Sequence, residues 1–352
     1  MWGGGNWVSL RLRNGSPAES HLMKTAVDSD VVANIKLSLI VTTYDLARMS
    51  DITELLMSVS SQKILNLEMI FVVEGSRSLA EKIEQLGGRI QRFPVRVILR
   101  TDSIGISASR NLGIEAAEGE IIAFVDDDVI LPPYWSGKLQ EIFASSVIGA
   151  VTGPAFPIWK DKEASWLPPA FHWLVSCTTW FRAAERCETR NVWGMNMAFS
   201  RQIFEAGLRF PVNIGGIRGK RLHGEEAVLC FAIRKRLQKK IIFEPKLFVY
   251  HKVYPFRKSP RFMMKSAYYM GSSRRLQKQL YGSYSAIGLE FDLGADMVKQ
   301  GLLWPISEIA THPRLALRKI LMTLIILLSA SVGYLAYNAK STTVIPPSKT
   351  RK

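Results

Sequence analysis

Three adjacent carboxylates, Asp126-Asp127-Asp128, directly follow a run of five apolar residues. Like charges in contact raise one another's pKa unless a cation compensates them. Mg²⁺ and Mn²⁺ are hard divalent ions that bind carboxylate oxygens and share their coordination shell with phosphate. In an extended segment, Asp126 and Asp128 point to the same side. The triplet therefore predicts a Mg²⁺ or Mn²⁺ site, with an acidic turn before Pro132 as the alternative.

Further polar side chains follow the other predicted strands of this region. They are Thr43, Tyr44, Glu74 and Arg110. Arg110 lies near a predicted helix N-terminus, which favours anions, and its planar guanidinium matches phosphate geometry. The ring of Tyr44 could stack on a nucleobase, and Glu74 could accept a hydrogen bond from a base or a ribose. Together with the aspartates, these residues predict a nucleotide-diphosphate site that contains a metal ion.

The elements that position these residues alternate between strand and helix. Short runs rich in β-branched residues predict strands at 36–42, 68–73, 95–100 and 121–125. Helical spacing of apolar residues predicts helices at 51–61, 80–86 and 107–117. This alternation indicates an α/β fold with a mostly parallel sheet covered by helices on both faces. Ligands of such sheets bind beyond the carboxyl ends of the strands, where the polar residues lie.

The composition is that of a folded enzyme with a basic surface. The chain has 352 residues, of which 47% are hydrophobic, and its formal net charge is +16. Two acid-free stretches, 250–280 and 314–352, hold fifteen of the positive charges. The second contains the most apolar run of the chain, so we expect a membrane partner and no nucleic acid. Three sparse cysteines indicate reduced thiols in the cytosol.

An uncharged run of eighteen residues, 320–337, lies near the end of the chain. As a helix it is about 27 Å long, close to the ~30 Å hydrocarbon core of a bilayer. Basic residues flank the run on both sides, so the positive-inside rule, by which cationic loops stay in the cytoplasm, determines its orientation only weakly. We expect a single span or an interfacial anchor, with a buried core helix as the alternative. The preceding segment, 286–317, mixes apolar and acidic residues and predicts an interfacial amphipathic helix.

Three motifs carry a resemblance to a known family. They are VTTYD, FVVEGS and TDSIGISASRNLGIEAAEGEIIAFVDDDV. In this order, over roughly residues 37–281, the chain resembles the family 2 glycosyltransferases, which have the Rossmann-like GT-A fold with a mixed, mostly parallel sheet. The resemblance implies a nucleotide-sugar donor and a divalent metal, Mn²⁺ or Mg²⁺.

The resemblance also implies roles for the residues of the first half. It places Tyr44 and Glu74 at the base, Arg110 near the donor, Asp126 at the ribose and Asp128 on the metal. Residues implied to bind the nucleotide sugar are Thr43, Tyr44, Glu74, Arg110, Asp126 and Asp127, and those implied to bind the metal are Asp128, Asp126 and His251. Many members have two aspartates where this chain has Val73-Glu74, which leaves the identity of the base open.

Gly224-Glu225-Glu226 opens a helical pattern and resembles the acid pair of the family. An inverting transfer needs one carboxylate to take the proton from the acceptor hydroxyl. The resemblance assigns this role to Glu226, with Glu225 second, and the alternative is that both acids only favour a helix N-terminus. His251 follows a predicted strand pair at 241–250, where family members have a histidine that completes the metal shell. A structural histidine is the alternative.

The predicted acceptor half is rich in tryptophan between positions 153 and 194. Tryptophan stacks on sugars and settles at membrane interfaces, although ordinary core packing is the alternative for any single one. Trp193 and Asn196 belong to the GMNMAF region that resembles the family's acceptor pocket. Arg257 and Arg261 could bind the diphosphate or a lipid phosphate, or could belong to a basic surface.

Within the family, the chain most resembles the archaeal-type glucosyl-dolichyl-phosphate glucuronosyltransferases. This implies an inverting transfer from a UDP-sugar, with UDP-glucuronate as the candidate, to a hydroxyl of a polyprenyl- or dolichyl-phosphate-linked saccharide. A synthase that glycosylates polyprenyl phosphate directly and a non-catalytic membrane scaffold are the alternatives.

The expected organisation follows from these predictions. The catalytic domain would lie in the cytoplasm, held at the membrane by the C-terminal helix. The predicted segments are an N-terminal extension (1–34), a GT-A domain (35–285) with a nucleotide-binding half (35–150) and an acceptor half (151–285), an interfacial segment (286–317), a membrane helix (318–339) and a basic tail (340–352).

Overall fold

The computed structural model describes residues 35–63, 66–181, 183–212, 214–217, 220–281 and 289–337. The predicted extension, 1–34, and the predicted tail, 340–352, lie outside the described residues.

The first half of the described chain alternates strand and helix as predicted. Its strands are β1 (Leu37–Thr43), β2 (Leu67–Glu74), β3 (Val95–Arg100) and β4 (Ile121–Val125). Its helices are α1 (Met49–Ser60), α2 (Arg77–Gly87) and α3 (Ile106–Ala116). Helix α1 buries Ile52, Leu55, Leu56 and Val59, the spacing of one helical face. The predicted boundaries differ from the observed ones by at most three residues.

The second half adds short strands and three helices. The strands are β5 (Val129–Ile130), β6 (Ile148–Thr152), β7 (Ala155–Trp159), β8 (Cys187–Glu188), β9 (Asn196–Ser200), β10 (Gly215–Ile217), β11 (Lys220–Leu222), β12 (Lys240–Phe243) and β13 (Val249–Val253). The helices are α4 (Trp135–Phe143), α5 (Arg201–Glu205) and α6 (Glu225–Leu237).

Eight strands form one sheet in the order β3-β2-β1-β4-β9-β6-β12-β8. The first four pair in parallel, β9 runs antiparallel to both β4 and β6, β6 pairs in parallel with β12, and β8 is antiparallel. Apolar clusters cover both faces of this sheet. The predicted mixed, mostly parallel sheet with helices on both sides is confirmed.

A second sheet of three strands, in the order β5-β13-β7, lies beside the first. The predicted strand pair at 241–250 is wrong, because its two strands belong to different sheets. The first, β12, joins the large sheet, and the second, β13, pairs with β5 and β7. The segment between them makes the crossing, and Asn196 Nδ2 donates to the Leu247 carbonyl within it at 2.6 Å.

The C-terminal region is helical. It contains α7 (Pro260–Tyr281), α8 (Leu289–Val298), a π-helical turn (Lys299–Leu303), α9 (Trp304–Glu308) and α10 (Pro313–Ala336). The membrane helix predicted at 318–339 corresponds to α10, which begins earlier because Pro313 is well suited to a first helical turn. By length and composition alone, α10 could cross a bilayer. One of its faces packs on α7.

Candidate active site

Asp126 and Asp128 lie in the connection between β4 and β5, and His251 lies in β13. Because His251 pairs with Val129 of β5, its imidazole reaches the two carboxylates. His251 Nε2 is 3.1 Å from Asp128 Oδ1 and 3.7 Å from Asp126 Oδ2, and one ligand atom of each residue lies within 4.8 Å of the others. Carboxylates suit Mg²⁺ and Mn²⁺, and an imidazole is an acceptable ligand for Mn²⁺.

The imidazole of His251 shows that this set fits a metal ion. The ring is buried, yet neither nitrogen has a hydrogen-bond partner of suitable geometry among the described residues. Buried polar atoms are nearly always bonded, and a cation would supply the missing partner. Burial by itself lowers the pKa of His251, but Asp128 and Asp126 outweigh it and raise the pKa well above its usual value. The two carboxylates that raise this pKa would also attract a divalent cation.

Two guanidinium groups hold the second oxygen of Asp128. Arg48 Nη1 is 3.0 Å from Asp128 Oδ2, and Arg257 Nη2 is 3.4 Å from the same oxygen. Burial raises the pKa of a carboxyl group, but His251, Arg257 and Arg48 together hold the pKa of Asp128 below its usual range. The structure therefore brings two cations to the edge of the candidate metal site, where a phosphate would need them.

Arg48 was missed by the sequence analysis. It ends a one-turn helix (Leu46–Arg48) in a polar loop, where no spacing distinguishes it from a surface arginine. Its stacking on the Tyr254 ring, 4.8 Å from the centroid, joins residues more than two hundred positions apart. One feature of the sequence could have pointed to Arg48. It lies in the polar loop after β1, and this loop lies near the aspartates because β1 and β4 are parallel neighbours.

Arg48 is held in position by a buried ion-pair network. Arg48 Nη1 is 3.2 Å from Asp51 Oδ2, and Tyr254 Oη donates to the same carboxylate at 2.6 Å. Lys252 Nζ is 2.9 Å from Asp51 Oδ1 and 3.0 Å from Glu54 Oε2, although Lys252 is fully buried. Removing one member would leave an uncompensated buried charge, which is strongly destabilising. The network therefore fixes α1 against β13 beside the metal ligands.

Asp127 points toward β1 and is not one of the three grouped metal-ligand candidates. Thr43 Oγ1 donates to Asp127 Oδ2 at 2.6 Å. Burial and the charge of Asp128 raise the pKa of Asp127 to about 7, against the opposing effects of Thr43 and Arg48. Tyr44 follows Thr43 with 74% of its surface exposed. A base-binding role for Tyr44 stays a prediction, and its ring is free to receive a base.

Glu74 is engaged within the protein. Glu74 Oε2 accepts from Ser103 Oγ at 3.0 Å and from the Ile104 amide at 3.2 Å, and Oε1 accepts from Ser109 Oγ. These bonds hold the loop that leads into α3. Gly105, at a positive φ of 85°, is the N-cap of this helix. The contact between Glu74 and a base stays a prediction, and the carboxylate already binds this loop.

Arg110 links the two halves of the site. Its Nη1 lies 2.9 Å from Glu225 Oε1 and 3.0 Å from Glu226 Oε1, so the predicted donor-side residue contacts the predicted base. Arg110 is buried, and its guanidinium also lies 5.3 Å from the centroid of the Phe210 ring. A Cβ at Gly194 would lie 2.6 Å from both Arg110 Nη2 and Glu226 Oε1, so a larger residue there would displace the ends of this pair.

The two glutamates at the start of α6 differ in their surroundings. Burial and the charge of Glu226 raise the pKa of Glu225 to about 8, although Arg110 opposes the shift. Burial therefore disfavours the ionised form of Glu225. The Glu226 side chain is 16% exposed and that of Glu225 6% exposed, so Glu226 is the more accessible carboxylate.

Two of the predicted acceptor residues adjoin, because the Asn196 backbone N–H donates to the Trp193 carbonyl at 2.9 Å. Asn196 is buried, and its amide is used internally by Trp135 Nε1 (3.0 Å) and the Leu247 carbonyl. Its predicted role toward an acceptor disagrees with this geometry, because no polar atom of its side chain is left over. Trp193 packs edge-to-face on Trp180, and Arg261 is exposed at the start of α7.

Comparisons with known proteins identify glycosyltransferases as the similar proteins. The family model for glycosyl transferase family 2 matches residues 38–208. The glucosyl-dolichyl phosphate glucuronosyltransferase of Haloferax volcanii is 28% identical over 248 residues, which cover 70% of this chain and 79% of the relative. The match to the family model contains Arg110 and the three aspartates, whereas the paired glutamates and His251 lie beyond its end.

Solved structures of low identity share the fold. The mannosyltransferase PcManGT of Pyrobaculum calidifontis, in complex with GDP-Man and Mn²⁺, has a TM-score of 0.58 and 15% identity, covering 86% of this chain and 87% of that one. GalNAc-T7 with UDP, GalNAc and Mn²⁺ has a TM-score of 0.51 and 16% identity, covering 80% of this chain and 59% of that one. The described chain has the GT-A fold.

Proposed function

Because this chain belongs to glycosyltransferase family 2, we propose that it is an inverting enzyme that extends a polyprenyl- or dolichyl-phosphate-linked saccharide. The donor is a nucleotide sugar, and UDP-glucuronate is the first candidate because the Haloferax volcanii relative is named a glucuronosyltransferase acting on glucosyl-dolichyl phosphate. The observation that carries the proposal is the Arg110 guanidinium, which joins the nucleotide-binding half to a candidate base, Glu226.

The metal site supplies the first requirement of the reaction. Asp126, Asp128 and His251 offer two carboxylates and an imidazole to a Mn²⁺ or Mg²⁺ ion. When bound, the cation neutralises charge on the donor diphosphate and so makes it a better leaving group. Arg48 and Arg257 lie beside the same carboxylate and are placed to bind phosphate oxygens of the donor or of the lipid-linked acceptor.

The base supplies the second requirement. Glu226 accepts the proton of the acceptor hydroxyl while that oxygen forms a bond to the anomeric carbon of the donor. The bond from this carbon to the diphosphate breaks, and the diphosphate leaves with the electron pair. Attack from the face opposite to the leaving group inverts the anomeric configuration. Arg110 orients the Glu226 carboxylate before the acceptor arrives.

The location follows from the same proposal. Nucleotide sugars reach the enzyme from the cytoplasm, and the three cysteines of the described chain are free thiols. A lipid-linked acceptor requires a membrane, and α10 offers a long apolar helix next to the catalytic domain. We therefore place the catalytic domain on the cytoplasmic side of a membrane.

The test is release of nucleoside diphosphate by detergent-solubilised protein with Mn²⁺ and a panel of nucleotide sugars, with and without a polyprenyl-phosphate-linked glucose. We expect release that depends on the acceptor and on one donor. Glu226→Gln should lower kcat by about 10²–10⁴-fold, and Asp128→Asn should abolish Mn²⁺-dependent activity. Glu185→Gln, at an exposed position, is the matched control and should leave activity unchanged.

A different result would identify the direct synthase. Polyprenyl phosphate is already anionic, so its glycosylation needs no base. Release with bare polyprenyl phosphate that survives Glu226→Gln would therefore replace the proposed transfer to a saccharide hydroxyl. Failure of every donor to react in the presence of Mn²⁺ and acceptor would contradict both versions.

A further inference from the structure

The outward face of α10 is a continuous apolar stripe. Its residues recur at intervals of three and four, so they share one side of the helix. Leu328 and Leu335, with 66% and 80% of their surfaces exposed, are typical of the stripe. Its members are Leu317, Leu321, Leu324, Leu328, Val332 and Leu335. No described residue covers this face, whereas the opposite face of α10 is buried.

The buried face of α10 is bound to the catalytic domain along nearly its whole length. Near its start, Arg318 lies over the Trp166 ring, 4.7 Å from the centroid, and Lys319 pairs with Glu308 at 2.7 Å. Near its end, the Gly333 carbonyl accepts from Ser272 Oγ at 3.0 Å. These contacts span about 24 Å of helix.

The partner helix α7 lies against α10 at backbone distance. A Cβ at Gly271 would collide with the Ala330 carbonyl, and a Cβ at Gly333 would collide with the Tyr268 carbonyl. Arg275 of α7 extends over the Tyr334 ring, 5.4 Å from the centroid. The two helices therefore form one packed unit, in which α10 cannot move without α7.

This unit cannot enter a bilayer as a span. Helix α7 carries five cations and no acid, and a helix inserted beside α10 would take them into hydrocarbon, where charged side chains are strongly disfavoured. The cations are Arg261, Lys265, Arg274, Arg275 and Lys278. Spanning by α10 alone would instead break its contacts with α7 and the catalytic domain.

We infer that α10 lies in the plane of one leaflet of an anionic membrane, with its apolar stripe inserted below the headgroups and its other face kept on α7. The charge of the helix supports a membrane as the partner of the stripe. Arg314 precedes Leu317 by about one turn on the same side of the helix and is exposed, where it meets lipid phosphates. The inference rests on the membrane association proposed above, and it specifies that α10 lies in the membrane plane and does not span the bilayer.

The segment before α10 supports the same orientation. Trp304 of α9 is 58% exposed, and tryptophan settles at the level of the headgroups. Other large apolar residues with exposed side chains in this segment are Leu303, Ile306 and Ile309. Helix α7 begins directly after the loop that carries Arg257, a contact of Asp128. An in-plane anchor therefore places the active site next to the layer that contains lipid phosphates.

The test measures the depth of labels along the stripe. Full-length protein with Cys187→Ser, which removes the half-buried thiol, receives one labelled cysteine at Leu317, Leu328 or Leu335. Vesicles contain equal parts phosphatidylcholine and phosphatidylglycerol, with spin-labelled lipids that quench at shallow or deep positions. We expect all three labels at the same shallow depth, and both end labels accessible to an impermeant quencher added outside. A deepest label at 328 with one end protected would show a span and overturn the inference.

A substitution pair completes the experiment. Leu324→Gln with Leu328→Gln should weaken vesicle binding by about 10-fold or more, whereas Val147→Gln, at an exposed position outside the helix, should not. Unchanged vesicle binding of the double variant would overturn the inference. So would a double variant that breaks up a protein dimer and leaves vesicle binding unaffected, because the stripe would then contact a second copy of the protein. Nucleoside diphosphate release by the same variants in detergent reports on the proposed function separately, since detergent removes the need for the anchor.

Discussion

Arg110 Nη1 lies 3.0 Å from Glu226 Oε1, although 116 positions separate the two residues in sequence. The same nitrogen lies 2.9 Å from Glu225, and all three side chains are largely screened from solvent. One guanidinium thus contacts two glutamate side chains at the meeting point of α3 and α6. The position of the candidate base depends on a residue that belongs to the nucleotide-binding half.

Replacing Arg110 with Met should be severely destabilising. The substitution leaves the Glu226 carboxylate without its buried partner, a change that typically costs about 3–5 kcal/mol. Chemical denaturation of the solubilised protein measures the free energy of unfolding. Arg236→Met, at an exposed position, is the control and should change it by less than about 0.5 kcal/mol. Equal effects of the two substitutions would show that the Arg110 cluster contributes no net stability.

Mn²⁺ should stabilise the protein through His251. A ligand that binds only the folded state raises stability, by about 2.7 kcal/mol at one hundred times its Kd. His251→Gln should weaken Mn²⁺ binding by at least about 10-fold, and calorimetric titration measures it. The exposed His312→Gln should bind Mn²⁺ like the parent protein. Equal affinities of the two variants would remove His251 from the metal shell.

Asn196→Ala should lower stability without changing the KM for the acceptor. The substitution leaves Trp135 Nε1 and the Leu247 carbonyl without their partner in the core, which costs about 1–3 kcal/mol. Thermal unfolding and steady-state kinetics, both below the unfolding temperature of the variant, separate the two effects. An increased KM in a protein of unchanged stability would instead support direct contact with the acceptor.

The metal-free protein should lose stability as pH rises. The pKa of Glu225 is about 8 in the folded state, against 4.5 for an unperturbed glutamate, so between these values the folded state holds a proton that the unfolded state has released. This contribution is complete below pH 4.5 and is lost as pH rises through about 8. We expect Tm, measured with a chelator present, to fall across this window. Glu225→Gln should flatten the fall, and an identical slope in the variant would argue against this titration.

Gly333→Leu should detach α10 from α7. No side chain fits between Gly333 and the Tyr268 carbonyl, so the helices must separate. Hydrogen exchange in α10 should then accelerate, while exchange in β1 should remain slow. Gly294→Leu is the control, because a Cβ at Gly294 would meet no atom within 4 Å. Unchanged protection of α10 in Gly333→Leu would contradict the close packing.

Much of the nucleotide-binding half could be predicted because one rule governs it. Parallel strands bring their carboxyl ends to the same edge, so Thr43 and the three aspartates had to lie together once β1 and β4 were recognised. The rule does not predict the direction in which a side chain points or which group it binds. Glu74 follows β2 as predicted, but its carboxylate points back to the loop before α3.

Long-range pairing could not be predicted from local spacing. Lys252 looks like one more cation of a basic run, yet it is fully buried because Asp51, two hundred positions earlier, compensates it. Arg48 gives no local signal for the same reason. The apolar composition of α10 likewise hides which of its faces contacts α7, because helix length and hydropathy are the same for a span and for a packed helix.

The alternation of β13 makes the site sensitive to chain length. Successive residues of a strand face opposite ways, so His251 faces the aspartates of the metal site while Lys252 faces Asp51. Deletion of one residue between Val249 and His251, with the pairing of Val249 unchanged, would exchange these positions and set an ammonium group where a cation must bind. Homologous enzymes with an intact metal site should therefore vary freely in many surface loops while keeping the spacing of the residues within β13 constant.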